Sequence, residues 1–334
     1  MTSRETLVKL DLTHGTETAL DGVLVVNKPA GWTSHDVVAR VRVLLGLSKV
    51  GHTGTLDPAA TGVLLLCLGK ATRVAEYLVN ADKAYRAVLR LGVSTDTQDA
   101  TGAVVARAAG SLPERAAIEA VVGRFVGRHR QVPPMYSAVK VQGVPLYKSA
   151  RAGRTVDRPA REYTVQSLEI LSVTPTAGDT KTMDVAFDVV CSKGTYVRTL
   201  CADIGEALGV GGHLAALERR RVGRFGIEDA VTLDELAAPA GRETVGMRLH
   251  SLAAALEDVP ALTIDPSAAD GVRHGVSVPA TQVVGMEGAW AAGACVRLQA
   301  PDGRLLAIGK VPCGPKELRQ AAPGTVITLE KVLA

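Results

Sequence analysis

The apolar residues of this chain come in short runs, each closed within a few positions by glycine, proline or polar residues. The longest fully apolar run around the middle of the chain, residues 63–68, is far shorter than the about 20 residues that cross a bilayer as a helix. Residues 22–28 and 63–68 read as short buried strands, and residues 83–92 alternate with period two like a half-exposed strand. Residues 33–45 instead show helical spacing. Strands separated by isolated helices predict a mixed α+β sheet rather than a regular βαβ array.

The same kinds of pattern extend along the chain. Ser111 and Glu114, with Pro113 between them, have the spacing of a capping box, which predicts the start of a helix carrying Ile118 and Val121. Further strands are expected at 163–173, 183–191 and 214–222, and further helices at 195–208 and 233–238.

The length of 334 residues gives room for roughly two domains. From about residue 261 the pattern changes to short β-like runs, at 295–299, 305–310 and 326–332. Residues 1–21 carry mixed charge and lack the apolar stretch of a signal peptide, so we expect a flexible N-terminal tail. The expected organisation is a tail over 1–21, a main domain over 22–260 and a small β-rich module over 261–334.

Cysteine usage and motif searches exclude several function classes. The five cysteines are odd in number and form no C-x-x-C pair, which argues against a disulfide framework and a zinc site and favours a reduced, cytoplasmic compartment. No H-E-x-x-H, G-x-S-x-G or G-x-G-x-x-G motif occurs, so metal, serine-hydrolase and dinucleotide chemistries lack motif support. The segment from Gly62 to Lys70 is not a phosphate-binding loop, because its interior is apolar and Ala71 replaces the required serine or threonine.

Positive charge is concentrated in one segment. Residues 124–161 contain nine lysines and arginines against one acid, Asp157, and a second basic run, 219–221 followed by Arg224, comes later. Such clusters fit a polyanionic partner, although charge alone equally fits a solvated surface.

A loop rich in glycine and threonine, residues 51–62, contains a carboxylate that suits catalysis. Asp57 precedes Pro58, which biases its backbone away from helix, and it lies between two apolar segments. A carboxylate held on a rigid loop at a strand end is placed to act as nucleophile or base. The alternative from the residues alone is an Asp that caps a turn.

Five sequence blocks in this chain together resemble the TruB family of tRNA pseudouridine synthases, in family order over about residues 22–225. The blocks are NKPAGWTS (27–34), GHTGTLDPAATGVLLLCLGKATR (51–73), KAYRA with LG and TDTQD (83–99), QVPPMYSAVK (131–140) and CSKGTYVRTL (191–200). The resemblance implies the pseudouridine synthase fold, a mixed and mainly antiparallel central sheet with flanking helices. It also implies, less sharply, a small C-terminal β-rich PUA-like domain over 261–334.

What the resemblance implies for catalysis concerns three residues. The family pattern makes Asp57 the catalytic carboxylate, which either attacks covalently or removes a ribose proton. Arg198 carries over as its ion-pair partner, able to orient it and lower its pKa. Tyr85 carries over as the ring that stacks on the flipped uracil and helps to handle the C5 proton. Without the resemblance, Arg198 reads as a surface residue and Tyr85 as core.

The resemblance also supplies substrate-binding residues. His52 matches the histidine that stacks in the RNA loop, while Tyr196 and Leu217 match positions that line the uracil pocket. Lys28 and Pro29 are expected to support the catalytic loop. Because isomerisation of uridine balances atoms and oxidation state, the reaction implies no cofactor and no metal.

The implied substrate is uridine 55 in the T-arm of tRNA. That base is stacked and must be extruded, at a cost of a few kcal/mol that contacts to the RNA have to offset. We therefore expect residues 124–161 to form a mobile basic flap over the T-arm, with 219–221 contacting phosphates beneath. The C-terminal module has a charge of only +1, so we expect it to support tRNA affinity more than chemistry.

Two alternatives stay open on the sequence. One is an RNA-binding protein or tRNA folding chaperone without essential catalysis. The other is a dyskerin-type relative guided by a separate RNA and dependent on partner proteins. The chain ends in EKVLA, without the longer basic or lysine-rich tail of that group, which favours action with no protein partner. The resemblance implies a monomer, and the short apolar runs imply no membrane association.

Overall fold

The structure is a computed structural model that describes residues 20–322 and 324–333. All but the last two residues of the expected tail, 1–21, lie outside this range. Within the described ranges, no helix combines the length and apolar character needed to cross a bilayer.

The larger sheet and its neighbours occupy the first part of the chain. Its strands and two short hairpins are β1 (Gly22–Lys28), β2 (Val50–Thr53), β3 (Thr61–Leu68), β4 (Lys83–Leu91), β5 (Val93–Thr95), β6 (Val104–Arg107), β7 (Gly127–Gln131), β8 (Lys140–Val141), β9 (Val144–Pro145), β10 (Arg161–Thr176), β11 (Asp179–Cys191), β12 (Gly212–Val222) and β13 (Phe225–Gly226). The helices are α1 (Ser34–Leu45), α2 (Ala75–Leu78), α3 (Arg115–Gly123), α4 (Leu146–Arg151), α5 (Val197–Ala207), α6 (Leu233–Ala237), α7 (Pro239–Thr244) and α8 (Leu252–Ala255).

The later part of the chain forms a second, smaller sheet. Its elements are β14 (Ala261–Ile264), α9 (Pro266–Arg273), β15 (Val278–Pro279), β16 (Val283–Glu287), β17 (Cys295–Gln299), β18 (Leu305–Lys310), α10 (Pro315–Arg319) and β19 (Val326–Val332). The strand order is β15-β19-β18-β17-β14-β16. The expected β-rich character of this region is confirmed.

The larger sheet is mixed and mainly antiparallel, as expected. Its order is β1-β3-β12-β4-β11-β10-β7, with β2 and β13 pairing at the sides of β3 and β12. Among the strand pairs of this sheet that the structure describes, only β3 and β12 are parallel, and their pairing is confined to two residue pairs, Thr61 with Glu218 and Gly62 with Arg219. The first residues of β3 therefore lie close to β12, at the end of the Asp57 loop.

Strands β1 and β3 are apolar throughout because both of their faces are covered. On one face, Leu24 and Leu64 pack with Val37 of α1. On the other face, Val25 and Leu65 belong to a cluster that also contains buried side chains of the C-terminal region. In a strand that is covered on both faces, apolar and polar residues do not alternate, because the side chains on both faces are buried. This explains the continuous apolar sequences of β1 and β3.

Strand β4 behaves as its period-two pattern predicts. Tyr85, Ala87, Leu89 and Leu91 point to the same buried face, where α5 packs on the sheet through residues such as Leu200. The same face of the sheet carries the candidate site.

Three local expectations are wrong. The capping box at Ser111 does not form: α3 begins at Arg115, and the preceding Glu114 is extended and makes no side-chain cap. The polar segment 127–131 is not part of a flap but is strand β7, paired with β10 in the sheet. The loop expected over 51–62 begins later, because Val50–Thr53 pairs with β3 as strand β2.

Candidate active site

The loop that carries Asp57 connects β2 to β3 and is pinned to the start of α1. The hydroxyl of Ser34 accepts a hydrogen bond from the backbone N–H of Leu56 at 2.9 Å. The N–H of Gly31 donates to the carbonyl of Pro58 at 2.8 Å. Asp57 is therefore held between two backbone anchors on its neighbouring residues.

Lys28 supports this loop from below, as expected. It is 0% exposed, and its ammonium donates to the carbonyls of Pro29 at 2.9 Å, Trp32 at 2.7 Å and Pro58 at 3.1 Å. Burial lowers the pKa of Lys28 to about 8, with the charges of Asp57 and Arg219 acting in opposite directions. One buried ammonium thus ties the end of β1 to the residue after Asp57.

Asp57 and Arg198 form an ion pair with two contacts. The guanidinium Nε lies 2.8 Å from Oδ2, and Nη2 lies 3.3 Å from Oδ1. Arg198 is 4% exposed, whereas the Asp57 side chain is 39% exposed. The carboxylate is oriented by a buried partner and stays accessible to a bound molecule.

Arg198 is itself fixed by groups from two other segments. Its guanidinium donates to the carbonyls of Thr97 at 3.2 Å and Tyr136 at 2.7 Å, and the Asp99 carboxylate lies 3.9 Å away. No local sequence pattern indicates a role for these residues, although Thr97 and Asp99 belong to the TDTQD block.

The pKa of Asp57 is raised, which differs from the expectation based on Arg198 alone. Partial desolvation of the carboxylate by the surrounding protein is the main cause, and the negative charge of Asp99 adds to it, while Arg198 and Lys28 oppose it. The guanidinium lowers the pKa as expected, but desolvation outweighs it.

Tyr85 and Leu217 lie on adjacent strands over the buried face. Tyr85 on β4 stands opposite Arg219 on β12, and Leu217 stands opposite Ala87. Tyr85 is buried, and Leu217 is half-buried against the core cluster that contains Tyr85 and Leu56. Burial raises the pKa of Tyr85; the positive charge of Arg219 opposes the shift, and the negative charge of Asp57 adds to it.

Tyr196 lies at the start of α5, two residues before Arg198. The side chain of Gln131 on β7 accepts from its N–H at 2.6 Å and donates to its carbonyl at 3.4 Å. The side chain is half-buried, and burial raises the pKa of its phenol. Gln131 is a positioning group that was not singled out, although it begins the QVPPMYSAVK block.

His52 lies on β2, beside the loop. Its ring meets that of His35 edge-on, with centroids 5.2 Å apart, and its buried Nδ1 has no hydrogen-bond partner among the described residues. Burial lowers the pKa of His52, and the charges of His35 and Arg219 lower it further. The ring is therefore neutral near pH 7.

Arg219 does not contact phosphates, contrary to expectation. It is 1% exposed and donates to the carbonyls of Val63 at 2.7 Å and Gly54 at 3.0 Å. Of its two neighbours, Arg220 pairs with Glu218, and Arg221 is half-buried.

The structure brings Asp57 and Arg198 into direct contact and places Tyr85 and Tyr196 within electrostatic range of Asp57. His52 lies on β2, just before the loop, with its ring against that of His35. Leu217 is on the same sheet face as Tyr85.

Family profiles match almost the whole described chain. The profile of the TruB family pseudouridylate synthase N-terminal domain matches residues 42–197, and that of the tRNA pseudouridylate synthase B C-terminal domain matches 198–259. A PUA domain profile matches 260–333.

Individual proteins and structures agree with these profiles. A tRNA pseudouridine synthase B from Syntrophotalea carbinolica is 44% identical over 302 residues, which cover 90% of this chain and 95% of that protein. The protein of the same name from Thermobifida fusca is 46% identical over 298 residues, covering 89% and 97%. Among solved structures, a Cbf5-Nop10-Gar1 complex contains a chain that superimposes with a TM-score of 0.75 at 31% identity, covering 95% of this chain and 87% of its own. The chain therefore belongs to the TruB family of pseudouridylate synthases.

Proposed function

We propose that this protein isomerises uridine 55 in the T-loop of tRNA to pseudouridine. Curated relatives at 44–46% identity carry the name tRNA pseudouridine synthase B, which supports tRNA as the substrate. The observation that carries the proposal is the pairing of the accessible Asp57 carboxylate with the buried Arg198 guanidinium.

The reaction breaks the bond between C1′ of the ribose and N1 of the uracil and forms one between C1′ and C5. The proton on C5 is lost and N1 gains one, so the product is an isomer of the substrate. Asp57 begins this sequence, either by attack on the sugar or by removal of a ribose proton. Arg198 holds the carboxylate ionised and fixes its direction through two parallel contacts.

The uracil ring must stay bound while it turns. Tyr85 and Leu217 lie on one face of the sheet near the loop, and an aromatic ring with an apolar neighbour suits stacking against a pyrimidine. Tyr196 lies two residues before Arg198 and adds a second phenol near the carboxylate. The neutral ring of His52 is suited to stack within the RNA loop that the flipped base has left.

The basic segment outside the sheet supports binding of the T-arm. Residues 132–160 contain the β8–β9 hairpin and α4, and they reach the site through the contact of the Tyr136 carbonyl with Arg198. The charged side chains of Lys140, Lys148, Arg151 and Arg154 are exposed. Phosphate contacts by such residues would offset the cost of extruding the base.

Tritium release from tRNA labelled at uracil C5 tests the proposal. We expect release by the wild-type protein at position 55, mapped by sequencing, and none above background by Asp57→Asn, with tRNA affinity unchanged within about threefold. Asp302→Asn, an exposed aspartate on the second sheet, is the matched control and should behave as wild type. Binding without release by the wild type would instead favour an RNA-binding protein or folding chaperone.

The protein is further proposed to act in the cytoplasm as a monomer without a protein partner. Purified protein should then modify naked tRNA, and light scattering should give a mass near 34.8 kDa. A requirement for added protein or guide RNA would contradict this.

A further inference from the structure

Arg219 is a buried cation with no acidic partner in the part of the chain that the structure describes. It lies on β12 among the most deeply buried large side chains of the protein. Its hydrogen bonds go to two backbone carbonyls, and no carboxylate of the described residues lies within 4.0 Å of its guanidinium. Burying an ion costs several kcal/mol even after relaxation, and carbonyl dipoles return only part of that. The cost of burying this charge therefore indicates that Arg219 has a role other than stabilising the fold.

The two carbonyls lie on opposite sides of the Asp57 loop. The carbonyl of Gly54, three residues before Asp57, accepts a hydrogen bond from Nη2, and the carbonyl of Val63, the third residue of β3, accepts one from Nε. One planar guanidinium thus closes the ends of the loop onto β12. Gly62 lies against the Arg219 backbone, so the loop and β12 are also in direct contact there.

The Arg219 side chain also lies beside Tyr85, close enough for its charge to act on the phenol. The two residues are directly opposite each other on β12 and β4, which places their side chains on one face of the sheet. The charge of Arg219 opposes the rise in the pKa of the Tyr85 phenol that burial causes. Arg219 therefore binds the loop that carries Asp57 and lies opposite Tyr85, and the proposed reaction uses both of these side chains.

We propose that Arg219 is a positioning residue that holds the Asp57 loop and the Tyr85 ring in their reactive arrangement from beneath the site. Arg198 orients the carboxylate itself, while Arg219 fixes the backbone that carries it. The inference rests on the proposed function for its catalytic meaning. Because Arg219 is enclosed by protein, its loss should slow the reaction and leave RNA affinity unchanged.

The test compares Arg219→Lys and Arg219→Met with the neighbouring control Arg220→Met. Arg220 is half-exposed and pairs with Glu218, so its loss should leave the site intact. Lysine keeps the charge but cannot span both carbonyls, and methionine keeps the stem alone. We expect single-turnover rates on saturating tRNA to fall about 30-fold for Arg219→Lys, because lysine cannot span both carbonyls. For Arg219→Met we expect a fall of about 10³-fold, because the charged group is lost altogether. Each tenfold loss corresponds to about 1.4 kcal/mol in the barrier. Dissociation constants for tRNA should stay within about threefold of wild type.

Rates are measured at 25 °C on variants that circular dichroism and thermal unfolding show to be folded. A loss confined to tRNA affinity, or a folded Arg219→Lys protein with the wild-type rate, would overturn the proposal. If neither variant folds, Arg219 is a folding residue and the proposal is also overturned.

A spectroscopic measurement separates this proposal from the function of the protein. With 3-fluorotyrosine in place of tyrosine, the ¹⁹F resonance assigned to Tyr85 through Tyr85→Phe should shift in Arg219→Lys and stay unshifted in Arg220→Met. An unshifted Tyr85 resonance in Arg219→Lys would contradict the contact. If wild-type protein releases no tritium, the proposed function fails, while this resonance still reports on the placement of Arg219.

Discussion

Arg198 and Asp57, 141 positions apart in the chain, face each other through two parallel contacts in which a buried guanidinium holds an accessible carboxylate. The buried partner is also bound to the carbonyls of Thr97 and Tyr136. Its orientation is thus set before any substrate arrives, and the carboxylate inherits that orientation. Preorganisation of this kind lowers the reorganisation that the reaction itself has to supply.

Replacing Arg198 should change the pH dependence of the reaction as well as its rate. Burial already raises the pKa of Asp57 above the ordinary 3.8, and the charge of Arg198 opposes this rise. In Arg198→Met that opposition is lost, so the acidic limb of the single-turnover rate profile should move to higher pH. We also expect the plateau rate to fall about 10²-fold or more, because the carboxylate loses its orientation.

The matched control is Arg86→Met, which removes an exposed arginine paired with Asp188 on the same sheet. Its rate profile should overlay that of the wild type. An acidic limb that stays in place in Arg198→Met would show that a group other than Asp57 controls it.

Local patterns were enough to predict the strongest elements of the fold. The runs expected at 295–299, 305–310 and 326–332 coincide with β17, β18 and β19, because each run is rich in Val, Leu or Ile and is separated from the next by turn residues or a short helix. Strand β7, with the sequence GRHRQ, could not be predicted in this way. Its strand conformation comes from pairing with β10, which is a long-range interaction.

The site shows the same division. Asp57, Tyr85 and Arg198 were identified through the resemblance, since no local property of Arg198 indicates that it meets a carboxylate. The expectation that Arg219 contacts phosphates is wrong. Three consecutive arginines are typical of an exposed basic surface, which is what phosphate binding requires, but Arg219 is buried. Its burial depends on carbonyls of Gly54 and Val63, more than 150 positions away, and backbone groups leave no mark in a sequence.

Lys28 should contribute more to the stability of the protein as the pH rises from about 8 to 10.5. Its folded pKa of about 8 lies below its ordinary 10.5, so the unfolded chain binds more protons in that interval. The difference in free energy of unfolding between wild type and Lys28→Met should therefore increase with pH there. Urea titrations at several pH values measure it.

Lys28→Met should also slow the reaction, because three carbonyls around the loop lose their common donor. We expect a fall in single-turnover rate of about tenfold or more, equivalent to about 1.4 kcal/mol. The exposed Lys49 gives the control Lys49→Met, for which neither rate nor pH dependence should change. A pH-independent stability difference for Lys28→Met would contradict the buried charge.

Gly62 should tolerate no side chain. Its φ is +98°, and a Cβ there would lie 2.3 Å from the carbonyl oxygen of Arg219. Gly62→Ala is expected to lower the free energy of unfolding by about 2 kcal/mol or more, because steric overlap with backbone adds to the strain of a left-handed conformation. In Gly178→Ala the strain acts alone, at φ +78° with open space around the Cβ, and about 1 kcal/mol is expected. Equal losses in the two variants, measured by urea unfolding, would show that the contact with β12 is unimportant.

The exposed charges of α4 should make tRNA binding depend on salt. Replacing Lys148 and Arg151 by alanine should lower the slope of log Kd against log salt by about 1 to 2. Each phosphate contact releases counterions from the RNA when it forms, so a variant that makes fewer contacts releases fewer of them. The control replaces Arg107 and Lys181 by alanine and so removes the same amount of charge near the start of β11. This end of β11 is far from Val189, the residue that pairs with Tyr85. If both double variants shift the slope equally, α4 has no special role in binding.

The C-terminal region should stabilise the larger sheet as well as support RNA affinity. Ile308 on β18 is packed in one core cluster with Val25 and Leu65, so deleting residues 262–334 would uncover that cluster.

A full-length variant is the cleaner probe. Ile308→Ala should lower the free energy of unfolding by about 2–4 kcal/mol and lower the unfolding temperature of both regions, because the cavity lies between them. Ile327→Ala is the matched control, since Ile327 is buried within the second sheet alone, and it should affect that region alone. Calorimetry with limited proteolysis distinguishes the regions, and an unaltered transition of the larger sheet in Ile308→Ala would mean that the two regions unfold independently.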